Sequence, residues 1–186
     1  GIIEAMNFRL DASYQLDANN SIGANFGFLR NPKQTWNGDM SSSILQNGEL
    51  SECSDSHADF FWQKNNLSSN IYYVGKIGKL GIDFNTDWLW SKNYENDVTK
   101  EQYQEVGMNA QSQTAHSLTN KDYHLLASKL VLSYPLLGGN LSLGGEYSNT
   151  HRTSKYQVVP TNLVSDDDSR ITESMTSSFL TYSRDF

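Results

Sequence analysis

Cysteine occurs once, at Cys53, and proline three times in 186 residues. The lone cysteine excludes an internal disulfide framework and a Cys-rich zinc site. So little proline, beside 12% aromatic residues, excludes a disordered chain. No run of about eighteen apolar residues exists, which excludes a transmembrane helix but not membrane-crossing strands, whose apolar side chains occupy one face only. Cations are scarce and scattered, 14 Lys and Arg against 21 Asp and Glu for a net charge of −7, so nucleic acid is not an expected partner. A Gly-rich phosphate loop, a nucleophile elbow and a zinc-protease helix are all missing, so neither an enzyme nor a cofactor is expected. The opening Gly1-Ile2-Ile3-Glu4 has no basic region, no apolar run and no starting Met, and reads as the interior of a longer protein.

What the chain does have is period-two alternation, which puts successive side chains on opposite faces of a strand. Met6, Phe8, Leu10, Ala12, Tyr14 and Leu16 alternate with Asn7, Arg9, Asp11, Ser13 and Gln15. Beyond a turn at 17–21 the apolar face resumes as Ile22, Ala24, Phe26 and Phe28. A second hairpin turns at Gly78-Lys79, with Leu67, Ile71, Tyr73 and Ile77 leading in and Leu80, Ile82, Phe84, Trp88 and Trp90 leading out. A third turns within 135–140, with Leu126, Leu130, Leu132 and Tyr134 before it and Leu141, Leu143 and Tyr147 after it. Leu125, Ala127 and Val131 occupy the other face of that incoming strand. Another strand is expected over 173–183, its facing left open by Met175, Phe179, Leu180 and Tyr182.

Short turns near 17–21, 78–79 and 135–140 alternate with long polar segments near 30–66, 93–121 and 151–172, expected to be loops. Sorting short turns to one end and long loops to the other is the habit of outer-membrane barrels. The expected fold is therefore all-β: an antiparallel meander of about seven long amphipathic strands, residues 1–186 forming one segment of a transmembrane β-barrel. From Leu80 to Trp90, strand rise and a tilt of roughly 40° give a climb of about 25 Å, the height of a barrel's apolar band. Met6, Phe8, Leu10, Tyr14, Leu16, Ile22, Phe26, Phe28, Leu80, Ile82, Phe84, Trp88, Trp90, Leu130, Leu132, Tyr134, Leu141, Leu143 and Tyr147 are the expected lipid-facing residues. Trp88 and Trp90 suit the far interface, and Tyr14, Phe28 and Tyr134 the girdle near the short turns. Seven strands are too few, and odd in number, for a bacterial barrel to close, so the first and last strands should be open edges.

Other residues suggest chemistry more weakly. Cys53, Asp55, His57 and Asp59 could be metal ligands, but a solvated Ser-rich loop explains them better. Asp166, Asp167 and Asp168 lack the spacing of a calcium loop. Asp83 and Asp87, about 13 Å apart along a strand, are too distant for a glycosidase pair and suit a polar lumen. His116, His124 and His151 show no ligand spacing, and no metal site is expected.

The stretch Asn70 to Trp90, NIYYVGKIGKLGIDFNTDWLW, with Phe179 to Phe186, FLTYSRDF, resembles the β-barrel of Bacteroidetes-type TonB-dependent receptors. That resemblance implies a barrel of about twenty-two strands, of which this chain is roughly a third. It also implies an amino-terminal plug, not among these residues, through which the TonB system acts. The implied location is the cell outer membrane, the implied partner its lipid, and the implied cargo a siderophore, vitamin, glycan or other small molecule. In that family Arg184-Asp185-Phe186 would open a periplasmic turn. Two rivals remain: a soluble β-sandwich carbohydrate-binding module, with Trp36, Trp62, Trp88 and Trp90 as sugar platforms, and a surface adhesin.

Overall fold

A computed structural model describes residues 1–161 and 163–184; Asp185 and Phe186, and with them the turn expected there, lie outside the described residues. The chain forms β1 (Ile2–Asp17), β2 (Asn20–Gln46), β3 (Glu49–Ile77), β4 (Leu80–Glu105), β5 (Gln111–Leu136), β6 (Gly139–Val159) and β7 (Asp167–Ser183). They make one seven-stranded antiparallel sheet in sequential order. The meander follows from the turns. Gly78 at φ +63° opens one two-residue loop, and Leu137 at +50° with Gly138 at +76° forms another, backbone conformations whose twist matches that of hairpin strands. At the first turn the Asp17 carboxylate accepts bonds from the Asn19 backbone N–H and the Asn20 amide, each 2.7 Å.

The long polar segments are mostly strand, the loops expected there shrinking to the connections between β2 and β3, β4 and β5, and β6 and β7. β2 and β3 run on as a paired hairpin to a two-residue turn at Asn47-Gly48, with φ of +56° and +88°. β4 and β5 stay paired as far as Tyr103 and Gln111. The physical reason is that Ser, Thr and Asn do not break a ladder already in register, and almost no proline interrupts it. The sheet also has no second layer: among the described residues Val158 is the only buried hydrophobic side chain, while Phe8, Leu10, Leu130 and Leu143 are exposed. A β-sandwich needs two inner faces packed on each other, so that rival is not what this chain forms.

Candidate functional site

Paired residues of an antiparallel ladder point to the same side of the sheet, so the register tests whether the alternating apolar residues share one face. One row runs Tyr14, Ile22, Tyr73, Phe84 and Leu130; another runs Phe8, Phe28, Leu67 and Trp90. Continuing through Ile82, Leu132, Leu143 and Leu180, and through Tyr134, Leu141 and Tyr182, the rows put the expected lipid-facing set on a single face. Leu16, at the register shift beside the first turn, is the one member of that set without a ladder partner. β7 joins the same face through Leu180 and Tyr182, whereas Met175 and Phe179 stand on the other. One placement is corrected: Phe28 shares its row with Trp90, eight residues from the Asn20 end of β2, so it does not sit at the short-turn end. The residue-by-residue alternation is correct there, but height depends on the partner strand.

The apolar patch is a slanted band. Its upper edge passes through Met6, Phe28, Leu67, Trp90, Leu126, Tyr147 and Leu180, above which stand Arg30, Asn65, Lys92, His124 and Asn149 on the same face. Followed along the rows, this edge falls by about ten residues from β1 to β7, which is roughly 33 Å along the strands over roughly 29 Å across them, a slant of about 50°. The short turns step the same way. β3 runs three residues beyond its last pair with β2, Ser21 with Val74, and β5 three beyond Gly81 with Ser133. Strands of closed barrels are tilted by about 35–45° for the same geometric reason, a stagger accumulated at each neighbour.

The opposite face is polar across its middle. Asn70 Nδ2 donates to Asn85 Oδ1 at 2.8 Å and to Asp87 Oδ1 at 2.7 Å, and Lys129 Nζ meets Glu146 Oε1 at 2.9 Å. Asp83, Asp87, Lys129, Glu146, Ser148 and Ser177 line a recess of about 490 Å³. Asp83 and Asp87 therefore share a face, as their spacing implied. Two glycines on this side make room for rings: a Cβ at Gly23 would strike the Tyr72 ring, and one at Gly144 the Phe179 ring.

Above the band, polar cross-strand pairs replace apolar ones. Ser42 and Ser54 hydroxyls are 2.9 Å apart, Gln113 Nε2 donates to Glu101 at 2.6 Å, and Lys121 reaches Glu95 at 3.2 Å. Burial, then the neighbouring Glu95, pushes the Asp97 carboxyl above its usual range. Cys53, Asp55, His57 and Asp59 alternate along β3 and so share a face. His57 stands between carboxylates: Nδ1 is 2.6 Å from Asp39 Oδ1 and Nε2 3.4 Å from Asp59 Oδ1, and the Asp39 bond raises its pKa. Asp166 accepts from the Val158 backbone N–H at 3.3 Å, and Asp168 meets Lys155 at 3.5 Å, so that triplet is spread over separate partners.

No family model and no curated protein matches the chain. Solved structures do. It is similar to BauA, the ferric preacinetobactin receptor of Acinetobacter baumannii, at 12% identity and a TM-score of 0.45, over 95% of this chain and 28% of that one. It is similar to FyuA, the ferric yersiniabactin uptake receptor of Yersinia pestis, at 12% identity and a TM-score of 0.33, over 96% and 34%. The siderophore receptor PiuA of A. baumannii aligns at 11% identity and 0.35, over 97% and 39%. The chain thus spans about a third of these proteins' lengths.

Two groupings were not apparent from the linear sequence. Trp36, Phe60 and Trp62 form a row with ring centroids 5.1 and 5.8 Å apart, on the same side as Asn70. A bulge at Pro32-Lys33, opposite Gln63, shifts the parity of β2 and brings Trp36 there. His124 and His151 are direct ladder partners; their equal distance from the Leu137-Gly138 turn was the available signal.

Proposed function

We propose that this chain is part of the wall of an outer-membrane TonB-dependent receptor, with the apolar face against lipid and the polar face lining the lumen. The observation that carries this reading is the slanted apolar band on a single-layer sheet without a core. Among the described residues nothing covers that face, and its slant fits strands crossing a bilayer at an angle. The hairpin arms above Trp90 then stand outside the cell, and the turns at 18–19, 78–79 and 137–138 lie on the periplasmic side. In this role the wall surrounds a plug through which the TonB system acts, and the cargo is a siderophore, vitamin or glycan. The sequence resemblance to the Bacteroidetes kind supports that class. The polar recess at Lys129 and Glu146 belongs to the lumen side.

Trp90 supplies the test. In liposomes, with Trp36, Trp62 and Trp88 replaced by Phe, its fluorescence should be quenched by lipid-attached quenchers, most strongly near headgroup depth, where indole rings prefer to sit. An absence of quenching at every depth overturns the assignment of this face to the bilayer.

A further inference from the structure

His124 of β5 and His151 of β6 are direct ladder partners on the face that carries the apolar band, just above its edge at Leu126 and Tyr147. Directly opposed residues hold their Cβ atoms about 4.5–5.5 Å apart, near enough for two imidazoles to share one ion at nitrogen distances of about 2.0–2.1 Å. One nitrogen of each ring already faces a neighbour. His124 Nε2 lies 2.9 Å from Asp122 Oδ1, and His151 Nδ1 lies 2.8 Å from Thr172 Oγ1. The Thr172 hydroxyl is an outer partner of the kind that fixes the tautomer and orientation of a metal-binding imidazole, while Asp122 sets a negative charge beside the His124 ring. The nitrogens left over are His124 Nδ1 and His151 Nε2, one on each of two opposed side chains.

We propose that His124 and His151 together chelate a divalent first-row transition metal, copper(II) most tightly. Imidazole suits copper, nickel and zinc, and copper heads the order of affinity for a given nitrogen site. Asp122 strengthens the site electrostatically. Its Oδ1 is enclosed and lies 2.9 Å from His124 Nε2 without the alignment of a hydrogen bond, so the negative charge beside the ring is incompletely satisfied until a cation arrives. Lys92, the ladder partner of Asp122, is the cation that opposes binding. No group of three His, Cys, Asp or Glu side chains converges among the described residues, so water completes the coordination. Protons compete for the same nitrogens, and binding weakens on acidification. The inference rests on ladder register and stands whether or not the apolar face meets lipid.

Copper(II) titration of the full chain in detergent micelles tests it. The expected result is one saturable equivalent, an electron paramagnetic resonance spectrum with two equatorial nitrogens, and quenching of Trp90, the ladder partner of His124. His124→Asn or His151→Asn should raise the dissociation constant at least ten-fold and remove one nitrogen from the spectrum. His57→Asn and His116→Asn should change neither. Diethylpyrocarbonate labelling of the unsubstituted chain reads the same site without any mutation, and copper should protect His124 and His151 from it. Absence of saturable binding, a double variant that binds like the unsubstituted chain, or labelling of both histidines undiminished by copper would overturn the proposal.

Discussion

Below the slanted edge and above it the same strands run on without a break, yet their side chains hold them in different ways. In the band, Phe84, Leu130 and Tyr73 line up apolar against apolar; in the arms, Ser42 meets Ser54 and Lys121 meets Glu95. The backbone ladder is common to both. Strand formation in this chain therefore does not depend on alternation, which reports instead the surroundings each face is built for.

The sharpest way to break this comparison is to charge the two faces in turn. On the proposed membrane reading, Phe84→Lys should lower folding stability in liposomes by about 2–4 kcal/mol, while Asn85→Lys, on the polar face, should change it little. Equal effects of the two in denaturant titrations would erase the distinction between faces. Next in size is a backbone substitution confined to the arms. Gly48 sits at φ +88° with open space where a Cβ would go, so Gly48→Ala strains only the backbone, by roughly 1–2 kcal/mol. Hydrogen exchange should quicken at the β2/β3 tip and stay unchanged at Tyr73 and Phe84; acceleration throughout would mean that arms and band unfold together.

The smallest effects are pH responses of opposite sign at the two ends. His57 has its pKa raised, first by the Asp39 hydrogen bond and then by Asp59, against the lowering effect of desolvation. Its contribution is fully present below the ordinary imidazole range and lost as pH rises through the elevated value. Asp97, raised by burial, acts in the same direction, ionising at a cost as pH rises. Asp17 is lowered, first by the Asn20 amide, so its contribution is present above the ordinary carboxylate range and lost as pH falls through the depressed value. Exchange of arm amides should therefore be better protected at mildly acidic than at alkaline pH, after correction for intrinsic rates, and Asp39→Asn should reduce that difference. The first turn should loosen only in strong acid.

Much of this fold was legible because a period of two survives any uncertainty about strand ends. Met6 through Tyr14 and Leu80 through Trp90 read as one-sided strands from sequence, and the register then joins them across the sheet. Strand ends did not read, because Ser, Asn and Asp in 37–46 suit a solvated loop and a solvated strand equally well. Asn47-Gly48 was the missed cue, a strong hairpin turn set inside a segment that composition had assigned to loop. Phe28 misled, and Trp36 could not be placed, for another reason: their positions follow from a stagger and from a bulge, both properties of two strands together. Met175 and Phe179 were undecidable until β6 fixed the register of β7.

The slant of the band also governs how much perimeter the chain can cover. Strands lying side by side without tilt take up about 4.8 Å each; inclined by about 50°, each takes up roughly 7 Å of a horizontal circumference. Seven strands then subtend an arc of roughly 50 Å instead of about 34 Å. In the barrel proposed above, the three-residue step between neighbouring hairpins thus sets the bore. A change of that step by two residues, which keeps every side chain on its face, would narrow the opening without removing a strand.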